Sequence, residues 1–164
     1  MIKGILNYRL MFPIEVHEIA NEGVVCIEAE YEVRAVWAEH KIPGLAYAFI
    51  DRPEPSRKIV YSDDTGTCES IAELAHEADV LIHESSYNDE LVDRVHEDGY
   101  SIPSQTAKIA RRANVRKLFL THIDPIRNKD LTLLLKHAKK VFPKTWFAED
   151  LMTVEVPLSC LSIE

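Results

Sequence analysis

The sequence predicts an α/β fold, in which strands and helices alternate along the chain. Three short apolar runs, at 58–61, 78–84 and 116–122, have the continuous hydrophobicity of strands buried in a parallel sheet. Segments with helical periodicity separate these runs. Strands that alternate with helices are typical of a layered α/β domain, and 164 residues are enough for one domain.

The first fifty residues are expected to form strands. In the segment 23–40, "GVVCIEAEYEVRAVWAEH", apolar residues recur in part at every second position, which predicts one strand face. That face comprises Val25, Ile27, Ala29, Tyr31 and Val33. A second apolar strand is predicted for 44–52, after the turn "KIPG".

Helical periodicity predicts four helices after residue 61. Their predicted bounds are 68–77, 88–97, 103–113 and 131–141. Pro103 supports the start of the third helix, because proline fits the first helical position. The closing segment "TWFAEDLMTVEVPL" predicts one or two further strands.

Composition excludes several classes of protein. A hydrophobic content of 46% excludes a disordered chain. No apolar run approaches the roughly 20 residues of a membrane-spanning helix, so no membrane partner is expected. Three widely spaced cysteines predict neither a disulfide framework nor a metal knuckle. We therefore expect reduced thiols in a cytoplasmic protein.

The charge is unevenly distributed. The net charge is −8, yet the segment from Lys108 through Lys144 is basic. Solvated helix faces account for most charges of this kind. A local footprint for a polyanion is the functional alternative, which an acidic protein as a whole does not forbid.

Three of the predicted strands end on groups that can bind metal or transfer protons. Asp63 and Asp64 follow the first strand. His83 and Glu84 end the second, and His122 ends the third. The carboxyl ends of strands in an open α/β sheet meet at one crevice, so these side chains are expected to be neighbours. A carboxylate with two imidazoles suits zinc, whereas a polar turn before a helix cap is the structural alternative for the aspartate pair.

Four segments resemble the C-terminal half of ribonuclease Z, the tRNA 3′-processing endonuclease of the metallo-β-lactamase superfamily. They read "YSDDTGTCES", "ADVLIHESSYNDE", "SIPSQTAKIARRANVRKLFLTHIDP" and "VFPKTWFAEDLMTVEVP". A fifth segment, "WAEHKIPGLAYAF", is similar to the histidine-containing strand and turn that precede the aspartate motif of the family. The resemblance extends from Pro13 to Pro157, which is nearly the whole chain.

This resemblance implies an α/β fold equivalent to the C-terminal half of a metallo-β-lactamase αββα sandwich, with one mixed sheet and helices on its outer face. Residues 1–164 would then form a single domain that lacks the N-terminal metal-binding half. The family implies zinc as the cofactor, two ions per complete site, and precursor tRNA as the partner.

The resemblance also implies roles for individual residues. Asp64 corresponds to the aspartate that bridges two zinc ions, and His122 to the last histidine ligand. His83 and Glu84 are catalytic candidates, in a His-Glu-Ser-Ser loop where the family has His-Glu-Ala-Thr. Tyr100 is a third catalytic candidate, although it replaces a histidine of the family, and a tyrosine with a pKa of about 10 shuttles protons poorly at neutral pH.

A further set of residues is predicted to contact substrate. It comprises His40, Ser101, Arg111 and Arg112. His40 falls on a histidine often found near the site in the family, and the two arginines could contact an RNA backbone. Asp150, in "AEDL", matches a further motif of the family.

The sequence departs from the family in its metal ligands. The His-x-His-x-Asp-His cluster and a further histidine before the aspartate are absent from the sequence. One aspartate and one histidine are fewer ligands than a zinc site needs. A single layer of the sandwich would also leave an apolar inner face. The chain is therefore expected to form a homodimer or to bind a separate N-terminal half.

Three hypotheses about function follow. The first is a ribonuclease Z-like zinc-dependent phosphodiesterase for 3′ maturation of precursor tRNA, incomplete or inactive as an isolated chain. The second is a non-catalytic binding or assembly module that kept the fold. The third is a phospho-acceptor signalling domain, since an aspartate pair at a strand end can also bind magnesium; the β-rich first fifty residues count against it.

Overall fold

A computed structural model describes residues 16–52, 56–125 and 130–158, and it contains one seven-stranded sheet. The strands are β1 (Gly23–Ile27), β2 (Tyr31–Trp37), β3 (Leu45–Asp51), β4 (Lys58–Tyr61), β5 (Val80–Glu84), β6 (Lys117–Thr121) and β7 (Thr145–Phe147). Each strand pairs with the next one along the chain. The pairs from β1 to β4 are antiparallel, and those from β4 to β7 are parallel. The predicted mixed sheet of an α/β fold is confirmed.

Helices connect the parallel strands. They are α1 (Glu69–Leu74), α2 (Val92–Asp98), α3 (Pro103–Arg112) and α4 (Leu131–Val141), with a 3₁₀ turn at Asp89–Leu91 before α2. The four predicted helices are present, but the segment 88–97 divides into the 3₁₀ turn and α2. None of the helices in the described ranges is both long and apolar enough to cross a membrane.

The prediction of one continuous strand face in the segment 23–40 is wrong. The segment forms a hairpin, in which the Glu28 amide donates to the Tyr31 carbonyl at 2.8 Å and the chain reverses at 28–30. A bulge between Val24 and Cys26 then shifts the register of β1 against β2. Next to the turn, Ile27 pairs with Glu32 and so lies on the face opposite Val33, where it is 59% exposed.

One face of the sheet packs against the helices and forms the main core. The strands present small side chains to it, such as Ala46, Ala48 and Val60, all fully buried. Small side chains let the helices approach closely, and Ile71 of α1 and Ala107 of α3 belong to the same core cluster. We call this the helix-covered face.

The strand pairing places large apolar side chains on the opposite face. We define the open face by five of them that are 38–50% exposed: Tyr31, Trp37, Phe49, Tyr61 and Trp146. The chain segment 148–156 lies against one part of this side of the sheet and encloses a cavity of about 240 Å³ with Ile82 and Phe119. The apolar inner face that was expected from a single layer of the sandwich is therefore present among the described residues.

Candidate metal and phosphodiester site

The parallel strands β4, β5 and β6 end at the same edge of the sheet, as their pairing requires. Asp64 follows β4 and His122 follows β6. At this edge a carboxylate oxygen of Asp64 (Oδ1) lies 3.2 Å from the Nδ1 atom of His122. The two side chains, predicted to be neighbours, are thus in contact and remain partly open to solvent, with 35% and 52% of their surface exposed.

The backbone adopts the left-handed conformation in the loops directly after β4 and β6. Asp63 has φ 57° and His122 has φ 53°. Residues with a Cβ rarely adopt this region, because the Cβ crowds the following carbonyl. Such a conformation persists when surrounding contacts hold it. Here the Ser62 amide donates to the Ile82 carbonyl at 3.0 Å, which anchors the turn that carries Asp64.

Two neighbouring loops hold the same turn in place. The Glu39 amide donates to the Thr65 hydroxyl at 3.0 Å, and the Gly66 amide donates to the Glu39 carbonyl at 2.8 Å. The Ser101 hydroxyl donates to the Thr65 carbonyl at 2.9 Å. Ser101 was predicted to contact substrate, but it is fully buried and supports this turn from inside the protein.

A buried hydrogen-bond chain connects β5 to His122. Glu84, the last residue of β5, is 1% exposed, and its Oε2 atom accepts from the Ser86 amide at 2.9 Å and from the Ser86 hydroxyl at 2.7 Å. The Ser86 hydroxyl also lies 2.8 Å from Nδ1 of His122. Sequence reasoning did not single out Ser86, and only its place in the His-Glu-Ser-Ser loop could have suggested it.

His83 and Glu84 are adjacent but lie on opposite sides of the sheet, and burial shifts their pKa values in opposite directions. Burial lowers the pKa of His83 to about 4, while its Nδ1 lies 2.8 Å from the Glu84 carbonyl oxygen. Burial raises the pKa of Glu84 to about 7, although hydrogen bonds from Ser86 and Ser101 act in the opposite direction. By register His83 pairs with Leu120 on the helix-covered face, so this catalytic candidate lies in the core and not at the edge.

Tyr100 lies between two histidine rings. Its ring centroid is 4.9 Å from that of His40 and 6.0 Å from that of His122, and the latter pair is stacked. His40 Nδ1 lies 2.8 Å from the Gly99 carbonyl oxygen, which holds this histidine against the loop that carries Tyr100. A cavity of about 290 Å³, lined by Ser86, Tyr87, Tyr100, His122 and residues 123–125, opens beside these rings. Tyr100 and His40 are therefore brought to the site.

The two arginines predicted to bind substrate lie elsewhere. Helix α3 begins two residues after Ser101, and Arg111 and Arg112 close its last turn, about 15 Å further along at 1.5 Å per residue. Arg112 forms an ion pair with Glu69 of α1. A role for this helix end in binding RNA stays a prediction, as does any role for Asp150, which is exposed in the turn after β7.

The donor atoms at the edge fit part of a metal site. Carboxylate oxygen and imidazole nitrogen are ordinary zinc ligands, and Asp64 and His122 already lie in contact. However, within the described ranges no group of three or more His, Cys, Asp or Glu side chains is placed to hold a metal ion. The two residues would therefore be two ligands of a larger site.

The sequence profile of a family described as "Beta-lactamase superfamily domain" matches residues 4–123. The chain belongs to the metallo-β-lactamase superfamily. The resemblance to the C-terminal part of ribonuclease Z is also confirmed, since several curated relatives carry that name.

The ribonuclease Z of Methanosarcina acetivorans is 32% identical over 203 aligned positions, covering 96% of this chain and 66% of the relative. That alignment is longer than the 164 residues of the chain, so the relative has residues inside the aligned region that this chain lacks. The ribonuclease Z of Archaeoglobus fulgidus is 47% identical over 100 residues, covering 61% of this chain and 33% of the relative. The chain thus spans about two thirds or less of the length of these curated relatives.

Solved structures show the same fold. The short form of human tRNase Z superimposes with a TM-score of 0.67 at 26% identity, covering 82% of this chain and 46% of that chain. A long form of ribonuclease Z from yeast gives a TM-score of 0.64 at 22% identity over 74% of this chain, which shows the fold alone.

Proposed function

We propose that the chain is the Asp64- and His122-bearing half of a ribonuclease Z-type phosphodiesterase that matures the 3′ end of precursor tRNA. The observation that carries the proposal is the 3.2 Å contact between the Asp64 carboxylate and the His122 imidazole at the carboxyl edge of the parallel strands. Asp64 and His122 would hold zinc there. Zinc, when bound, lowers the pKa of water and neutralises charge on a phosphoryl group.

The remaining ligands of the site would come from outside the 164 residues of this sequence. Two ligands are fewer than zinc requires, and the open face presents five half-exposed aromatic side chains. Apolar sheet faces bury such side chains by packing against another sheet about 10 Å away. A partner that carries a sheet with an apolar face, either a separate N-terminal half or a second copy of this chain, would cover the open face and supply the missing ligands.

A non-catalytic binding module is the second candidate. Tyr100 favours it, because the residue that stacks on His122 is a phenol and not an imidazole. A phenol can donate a hydrogen bond to a phosphate oxygen but exchanges protons poorly near neutral pH.

Complementation tests the proposal. The chain is purified alone, and also together with a co-expressed N-terminal part of the Methanosarcina acetivorans ribonuclease Z. Zinc per complex is measured by mass spectrometry of the metal, and cleavage is measured on a precursor tRNA. We expect zinc and 3′ cleavage in the complemented sample, with both lost in His122→Ala and retained in His76→Ala, an exposed histidine on a different loop.

Two other outcomes have definite meanings. If the chain alone binds zinc and cleaves the tRNA, and His122→Ala abolishes both, a second copy completes the site. If a complex forms but neither zinc content nor cleavage depends on Asp64 and His122, the hydrolase proposal is wrong and the chain is a binding module.

A further inference from the structure

A chain of hydrogen bonds runs from Glu84 through Ser86 to the Nδ1 atom of His122. We propose that Ser86 is a positioning residue that holds His122 in the Nδ1–H tautomer and so keeps the Nε2 lone pair available for a metal ion. This inference rests on the proposed function for its purpose, because a ligand histidine must present an unprotonated nitrogen.

The direction of each hydrogen bond follows from a count of protons. A serine hydroxyl has one proton to donate. The Ser86 hydroxyl donates that proton to Oε2 of Glu84 at 2.7 Å, and the same oxygen accepts the Ser86 amide at 2.9 Å. While Glu84 is ionised, as it is at the pH of the test described below, the oxygen of Ser86 can therefore only accept in its 2.8 Å contact with Nδ1 of His122, so the proton of that contact lies on Nδ1.

A neutral imidazole carries one N–H, so a proton on Nδ1 leaves Nε2 with its lone pair. The carboxylate of Asp64 lies 3.2 Å from the same Nδ1 atom and favours the same tautomer in the metal-free chain. To share a metal ion with Nε2, Asp64 would have to leave Nδ1, and Ser86 would then be the partner that keeps the proton there. Metal-binding histidines usually donate their other ring N–H to a partner of this kind, which fixes both the tautomer and the ring orientation.

The partner group is held rigidly. Glu84 is 1% exposed and Ser86 is 4% exposed, so the hydrogen bonds between these two residues are shielded from water. The adjacent Ser85 is fully buried, yet its hydroxyl has no hydrogen-bond partner among the described residues. Ser85→Ala is therefore a matched control, since it removes a neighbouring buried hydroxyl without touching His122.

The test reads the tautomer directly in the metal-free chain. The ¹⁵N shifts of the His122 ring are assigned by two-bond ¹H–¹⁵N correlation at about pH 8.5, where histidine side chains are ordinarily neutral. We expect mostly Nδ1–H in the wild type, in Ser85→Ala and in Ser86→Thr, which keeps a hydroxyl. In Ser86→Ala the ratio of Nδ1–H to Nε2–H should fall about tenfold, as expected for the loss of one hydrogen bond.

A wild-type ring that is already Nε2–H, or a ratio in Ser86→Ala equal to that of Ser85→Ala, overturns the inference. If Ser86→Ala fails to fold, Ser86→Cys takes its place, because a thiol fills the site but is a weak hydrogen-bonding group. The outcome is separate from that of the complementation experiment, since it needs neither zinc nor RNA. A chain that binds no zinc even in the complemented sample but shows the Ser86-dependent tautomer would contradict the proposed function alone.

Discussion

The two faces of the sheet come from the same strands, yet one of them is covered much more fully than the other. Ala46, Ala48 and Val60, which point to the helix-covered face, are fully buried. Trp37 of β2 and Phe49 of β3, which point to the open face, are 41% and 50% exposed. Strand side chains alternate between faces, so the sequence specifies both surfaces at once. The difference shows that this chain encodes a surface for a layer that its described residues cover only in part.

The largest expected effect is a loss of stability on the helix-covered face. Leu118 is fully buried there, and Leu118→Ala should lower the free energy of unfolding by about 2–5 kcal/mol, because it leaves a cavity in the core. Phe49→Ala on the open face should cost about 1 kcal/mol or less, because half of that ring is already in water. Urea unfolding monitored by circular dichroism measures both. Equal losses would mean that the open face is packed in the isolated chain, for instance in a dimer.

A smaller effect on the free energy of unfolding should depend on pH. It comes from Glu84, the last residue of β5. Burial raises the pKa of Glu84 to about 7, above the ordinary value near 4.5. The unfolded chain therefore releases this proton at a lower pH than the folded chain does, and the free energy of unfolding falls as the pH rises from 4.5 through 7. Glu84→Gln removes that loss. The variant should gain about 3 kcal/mol in unfolding free energy over the wild type above pH 7 and gain nothing near pH 4.5.

His83 provides the internal control for that experiment. Burial lowers its pKa to about 4 from an ordinary 6.5, so it contributes stability that is lost as the pH falls from 6.5 towards 4. This acid-side loss should persist in Glu84→Gln. Urea titrations at several pH values would separate the loss due to His83 from the loss due to Glu84. If the unfolding free energy of Glu84→Gln still fell between pH 4.5 and 7 as in the wild type, the assignment to Glu84 would be wrong.

The smallest effect is expected on the outer surface of the helices. Arg112 pairs with Glu69, and both side chains are more than half exposed, so Arg112→Ala should change the unfolding free energy by less than about 1 kcal/mol. Binding of tRNA by the complemented protein tests the predicted substrate role separately. If Arg112 contacts one phosphate, Arg112→Ala should reduce the slope of log binding constant against log salt concentration by about one. An unchanged slope would mean that Arg112 is a solvated surface residue without a role in binding.

Elements with strong local signals were predictable from the sequence. Helix α4 occupies the predicted residues 131–141, because its leucines follow the helical period and the Asp130 carboxylate accepts from the Leu133 amide at 3.1 Å. The turn at 28–30 was missed because "EAE" contains no glycine, proline, asparagine or aspartate to mark it. Because that turn pairs Ile27 with Glu32, Ile27 lies on the face opposite Val33 and not on the same face as predicted.

For the candidate site, the sequence could predict only the positions of residues that follow directly after the parallel strands. Asp64 and His122 could be placed together because parallel strands end at one edge. Alternation requires that His83 and Glu84 point to opposite faces, but the sequence does not say which faces those are. The contact of Ser86 with His122 depends on the path of the loop after β5, and a serine in a loop carries no sign of its hydrogen-bond partner.

The order of the strands has a consequence for synthesis on the ribosome. Every strand pairs with the one translated immediately before it. Sequential pairing closes short loops first, which favours rapid folding. We therefore expect the antiparallel strands β1 to β4 to pair early as the chain emerges, so that the aromatic side chains of β2, β3 and β4 are available to a partner before the C-terminal residues have been translated.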